Sequence, residues 1–100
     1  MQFIIIAYDG TDPDAINRRL AAREAHLKNG DLMKERGELL YGVAMLDENQ
    51  KMVGSVYVVD LPSRKEVDAW LKIEPYVLGN VWDKIEISPC RVGPSFLKAL

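Results

Sequence analysis

Residues 3–8, Phe-Ile-Ile-Ile-Ala-Tyr, can bury both of their sides. Side chains alternate across a strand, so Phe3, Ile5 and Ala7 share one face while Ile4, Ile6 and Tyr8 share the other. A strand with one solvated face needs apolar residues only at every second position; one that is apolar on both faces belongs inside a sheet with cover above and below. Residues 52–61 read the same way, with Val56 and Val58 on one face and Tyr57, Val59 and Leu61 on the other. Residues 81–92 do not, because Asp83, Lys84 and Glu86 interrupt them as suits a sheet edge.

Between these strands the punctuation is helical. Strand 1 ends at Asp9-Gly10, a turn signal, and Asp12-Pro13 predicts a helix start with Asp12 as N-cap and Pro13 in the first turn. Ile16, Leu20 and Leu27 recur at helical spacing and predict the core-facing line of that helix, which is expected to loosen at Asn29-Gly30-Asp31 and to stop at Gly37. Residues 38–46 predict strand 2, and 47–51 the polar tip of a hairpin into strand 3. Ser63 with Glu66 fits a capping box for a second helix, whose apolar stripe is Val67, Trp70 and Leu71. Glu74-Pro75 ends it, since the residue before a proline is pushed out of the α region. A short turn of helix over 75–78 leads to strand 4, with a bulge expected near Ser88-Pro89.

The order βαββαβ predicts a ferredoxin-like α+β fold with a four-stranded antiparallel sheet ordered 4-1-3-2. In that order the two strands that are apolar on both faces lie in the centre. Two helices cover only one side, and leaving the other bare forgoes about 1.5–3 kcal/mol of burial for each large apolar residue. A second copy of the sheet is the simplest cover, so a homodimer through the sheet face is expected; the alternative is cover by the C-terminal tail, residues 93–100.

One hundred residues suit a single domain over 1–100. A net charge of −2 gives no electrostatic footprint for nucleic acid, and no run of roughly 18 apolar residues is present to span a membrane. The first residues lack the basic region and cleavage site of a signal peptide, so the cytoplasm is the expected compartment. The single cysteine, Cys90, precludes an intramolecular disulfide, and one histidine without clustered acids argues against a metal site. No cofactor is expected.

Chemistry centres on that histidine, His26. At about 100° per residue, Arg23 falls almost on the Ile16–Leu20–Leu27 line, with Arg19 and His26 together on one flank. Basic groups at the border of a buried stripe fit a pocket at the edge of the core; the alternative is a boundary histidine with arginines reaching solvent. In Glu74-Pro75-Tyr76, a carboxylate set before a proline can be aimed back at the sheet, where it would orient the imidazole and fix its tautomer for acid–base work, or it can simply face solvent.

Arg23-x-x-His26-Leu27, the Gly37-x-Leu39 entry to strand 2, Gly42 within it, Gly54-Ser55 in strand 3 and the acid-Pro-Tyr triplet together resemble the YciI-like, or YCII-related, family over about residues 1–92. The resemblance implies a dimeric α+β barrel of ferredoxin-like subunits and an active-site cleft with a histidine–aspartate pair. Carried over, the histidine is His26 and the acid is Glu74. Glutamate here replaces the usual aspartate, and Val43 follows Gly42 where proline is common. The combined expectation is a cofactor-free enzyme doing lyase- or isomerase-type chemistry on a small anionic or aromatic metabolite. His26 and Glu74 are the expected catalytic pair, and Arg19, Arg23, Tyr8 and Tyr76 the expected substrate-binding residues. The alternative is a non-catalytic ligand-binding or regulatory dimer.

Overall fold

The computed structural model describes residues 1–97. The elements are β1 (Gln2–Asp9), α1 (Ala15–Glu35), β2 (Leu39–Leu46), β3 (Met52–Asp60), α2 (Arg64–Leu71), α3 (Pro75–Leu78), β4 (Trp82–Cys90) and α4 (Pro94–Leu97). One antiparallel sheet has the order β2-β3-β1-β4, the expected 4-1-3-2 read from the other edge. This is the ferredoxin-like arrangement. No described helix is long and apolar enough to cross a membrane.

Alternation sorts the faces as read from the sequence. Phe3, Ile5 and Ala7 of β1 and Tyr57, Val59 and Leu61 around β3 are buried on the helical side, where Val67 and Trp70 of α2 and Tyr76 of α3 close over them. On the opposite face Ile4, Ile6, Val56 and Val58 are half-buried and Val43 is exposed. Residues 93–97, the described part of the tail, touch a corner of that face. Tyr41 Oη donates to the Phe96 carbonyl at 2.9 Å, and Phe96 itself stays exposed. The end of the tail, residues 98–100, lies outside the described residues.

Four local expectations are corrected. Asp12 does not cap α1: the helix starts after Asp14, and the Asp12 carboxylate instead takes both terminal nitrogens of Arg18 at 2.8 and 2.7 Å. The helix runs unbroken through Asn29-Gly30, held by packing at Asn29 and Met33. Gly37 does follow its end in the left-handed region, φ 76°, where glycine meets no steric penalty. The bulge lies at the other end of β4 from Pro89: Tyr8 pairs with Lys84 and Asp9 with Trp82, leaving Asp83 as the extra residue. That slip turns Trp82 inward beside Asp9. Pro89 needs no bulge, because β4 is an edge strand with one side free of the ladder.

The fourth correction concerns α1. Leu20 and Leu27 are 54% and 46% exposed, while Ala15, Arg19, His26 and Met33 are buried, with Ala22 and Asn29 half-buried between them. The inward stripe therefore keeps helical spacing but is rotated from the leucine line by one residue, about 100°. Apolar residues are spread around α1 with almost no net amphipathic side. What the inward side meets is polar partners on the sheet and at the start of α3.

Candidate functional site

Three of those inward side chains, Arg19, His26 and Asn29, meet polar groups supplied by β1, β3 and the start of α3. His26, 7% exposed, sets Nδ1 against Glu74 Oε1. An ionised carboxylate only accepts, which places the hydrogen on Nδ1 and leaves Nε2 as an acceptor. Tyr57 Oη donates to Nε2 at 2.6 Å. Both ring nitrogens thus have partners.

Glu74 owes its position to backbone punctuation. It is the N-cap residue of α3, in extended conformation, and Pro75 occupies the first turn. Its Oε1 also accepts from the Tyr76 amide at 3.3 Å, and its Oε2 lies 3.5 Å from the Asn29 side-chain amide. At 1% exposure the carboxylate is satisfied by the imidazole and two N–H donors, as burial of a charge requires. The Tyr76 ring stacks on the imidazole, centroids 3.8 Å apart and planes 10° from parallel. Trp82 meets both rings edge-on, with centroids 6.2 Å from His26 and 5.7 Å from Tyr76.

Nearly two turns toward the helix start, Arg19 forms a second buried cluster. Nη1 lies 2.9 and 3.0 Å from the two Asp9 oxygens and Nη2 donates to Ser55 Oγ at 3.1 Å, while the guanidinium carbon sits 4.8 Å from the Tyr76 ring centroid. Burial pushes the Asp9 carboxyl up against the opposing pull of Arg19. Burial likewise pushes the Tyr57 phenol up to about 12 and raises Tyr76.

Between α1 and β2 opens a cleft of about 490 Å³, lined by Arg23, His26, Lys34, Gly42, Tyr57 and Tyr76 among others. Arg23 is exposed and has no hydrogen bond or ion pair among the described residues. The expected site residues therefore separate. His26, Tyr76 and Arg23 line the cleft, and Glu74 lies behind His26, away from the opening. Arg19 also lines it, but its charge is met by Asp9. Tyr8 is elsewhere: alternation along β1 sends it to the open sheet face, 39% exposed, with the Lys84 ammonium 5.7 Å from its ring centroid.

The YCII-related domain model matches residues 1–91. The chain belongs to the YCII-related family. Protein YciI of Escherichia coli is 30% identical over 97 residues, which take in 91% of this chain and 97% of that one. Of the solved structures, a 5-chloro-2-hydroxyhydroquinone dehydrochlorinase from Burkholderia phenoliruptrix, in complex with 2,5-dihydroxybenzoquinone, superposes with a TM-score of 0.80 at 20% identity, covering 95% of this chain and 98% of that one. A dimeric ferredoxin-like protein from a Jannaschia species also superposes, with a TM-score of 0.51 at 13% identity, covering 91% of this chain and 98% of that one. At such identities these two likenesses establish the fold.

Sequence reasoning about this YCII-related chain passed over Asp9, Asn29, Ser55 and Tyr57. Nothing local sets Tyr57 apart from a core aromatic. Alternation put it on the helical side of β3, which was one usable signal; the other needed was the phase of α1. Gly42 is explained by it: Gly42 pairs with Tyr57 across β2 and β3, and a Cβ there would stand 2.9 Å from two atoms of the tyrosine ring.

Proposed function

We propose that this chain is a small-molecule enzyme that moves a proton on a small anionic or hydroxylated aromatic substrate, in lyase- or isomerase-type chemistry. One observation carries the reading: a buried imidazole is held on Nδ1 by a buried carboxylate at the wall of a cleft that also carries Arg23. A carboxylate so placed holds the tautomer and stands beside the imidazolium when the ring takes a proton, as in acid–base sites generally. In this reading His26 is the acid–base group and Glu74 orients it. Arg23 receives the substrate's negative charge, and Tyr76 forms an aromatic floor. Arg19 acts from beneath, through Tyr76. The similarity to a dehydrochlorinase solved with a dihydroxybenzoquinone supports a hydroxylated ring as the first substrate class to test.

In deuterated buffer, the wild-type chain is expected to speed exchange of the ring protons of 2,5-dihydroxybenzoquinone, followed by proton NMR. His26→Ala should lose about 10²–10⁴-fold of that acceleration. Exchange by the variant at the wild-type rate would show that His26 does not move the proton.

A second reading, a ligand-binding module without turnover, draws on the engagement of both imidazole nitrogens. It expects binding of the same probe with no exchange. In either reading the chain acts as a homodimer joined through the open sheet face, where Ile4, Ile6, Val56 and Val58 form a contiguous apolar centre across β1 and β3.

A further inference from the structure

The two ring nitrogens of His26 are both taken, so a molecule in the cleft meets no vacant imidazole nitrogen. The group next in line is the Tyr57 phenol. Its oxygen is 2.6 Å from His26 Nε2, and Tyr57 lines the same cleft as Arg23. Among the described residues its oxygen is otherwise approached by the Ser55 hydroxyl, whose hydrogen bonding pulls the phenol down against burial. A phenolic oxygen that donates its one hydrogen to an imidazole still has lone pairs to accept from a second partner.

We propose that Tyr57 is a catalytic residue, the terminal group of a Glu74–His26–Tyr57 relay, and that the substrate presents to it an acidic hydroxyl, a phenol or an enol. This rests on the acid–base reading of His26 and adds the atom through which that reading reaches substrate. In the forward step the substrate O–H bond breaks and its proton passes to Tyr57 Oη. The original Tyr57 proton passes in the same motion to His26 Nε2. The products are a substrate oxyanion, a neutral Tyr57 and an imidazolium whose Nδ1–H remains on the Glu74 carboxylate. Reversal returns the proton. The two transfers are coupled because a free tyrosinate is disfavoured where burial holds the phenol at about 12.

The sheet is built for this placement. Gly42 lies directly across from Tyr57 on β2, and any larger residue would put a Cβ 2.9 Å from ring atoms Cδ1 and Cε1. Trp70 and Trp82 hold the ring from other sides, at centroid distances of 6.3 and 5.7 Å. A tyrosine serving only as core filler would not need its hydroxyl on the imidazole.

The probe is 4-nitrophenol, whose colour reports its ionisation, and His26 is the chain's one histidine, so its ring nitrogens assign themselves in a nitrogen-15 spectrum. On binding to the wild-type chain at neutral pH, the probe should ionise while both His26 nitrogens become N–H. Tyr57→Phe should bind it with that transfer lost. Gly42→Ala, which keeps the hydroxyl but displaces the ring, should lose it too, and decides the matter if the phenylalanine variant does not fold. Transfer at the wild-type level in the folded variants would mean that His26 takes the proton directly; the relay falls and the acid–base reading stands. A wild-type chain that leaves the probe unbound, or binds it with His26 neutral, overturns both.

Discussion

Tyr57 and Tyr76 surround the imidazole with aromatic surface, and their phenols feel that setting. Burial raises both, Tyr57 from an ordinary 10.0 to about 12. The folded state therefore favours the neutral phenol. The stability this contributes is fully present below the unfolded value and is lost as pH rises through about 12; a shift of this size corresponds to about 3 kcal/mol. An ultraviolet difference titration of the folded chain should show a late phenol that is missing from Tyr57→Phe. Its persistence in that variant would mean that another tyrosine is the late one. His26 and Glu74 could be nominated from sequence because one histidine and one acid-Pro-Tyr triplet stand out. Tyr57 could not, since nothing local distinguishes a relay tyrosine from a core tyrosine.

At the scale of the element, α1 carries the lesson. Its repeat was readable and its phase was not. The leucines at positions 20 and 27 mark a plausible buried line, yet the helix turns Arg19, His26 and Asn29 inward, toward Asp9, Ser55, Tyr57 and Glu74. Those partners are scattered along the chain, and pattern reading sees no pairing between distant positions. The phase has a stability signature. Leu20→Ala and Leu27→Ala should stay within about 0.5 kcal/mol of wild type, as exposed substitutions do. Met33→Ala, from the buried side, should cost about 2–5 kcal/mol in urea unfolding. The reverse ranking would rotate the helix back to the leucine line. The strands were easier: a period of two has only two phases, and charged residues in β4 marked the edge.

For the whole molecule, the sheet's open face is the remaining account to close. A homodimer would bury Ile4, Ile6, Val56 and Val58 against a second copy, and sedimentation should then return twice the chain's 11.3 kDa. Val56→Lys, in the middle of that face, should shift the mass to the monomer while leaving the helical side intact. A wild-type chain that sediments as a monomer at micromolar protein would remove the dimer from the proposal. The buried Glu74 has a different reach. It stops one helix, starts another and holds the imidazole with the same oxygen that the Tyr76 amide uses. Removing His26 would leave that carboxylate inside the fold without its imidazole partner, so the pair binds whatever the cleft does to the stability of the chain itself.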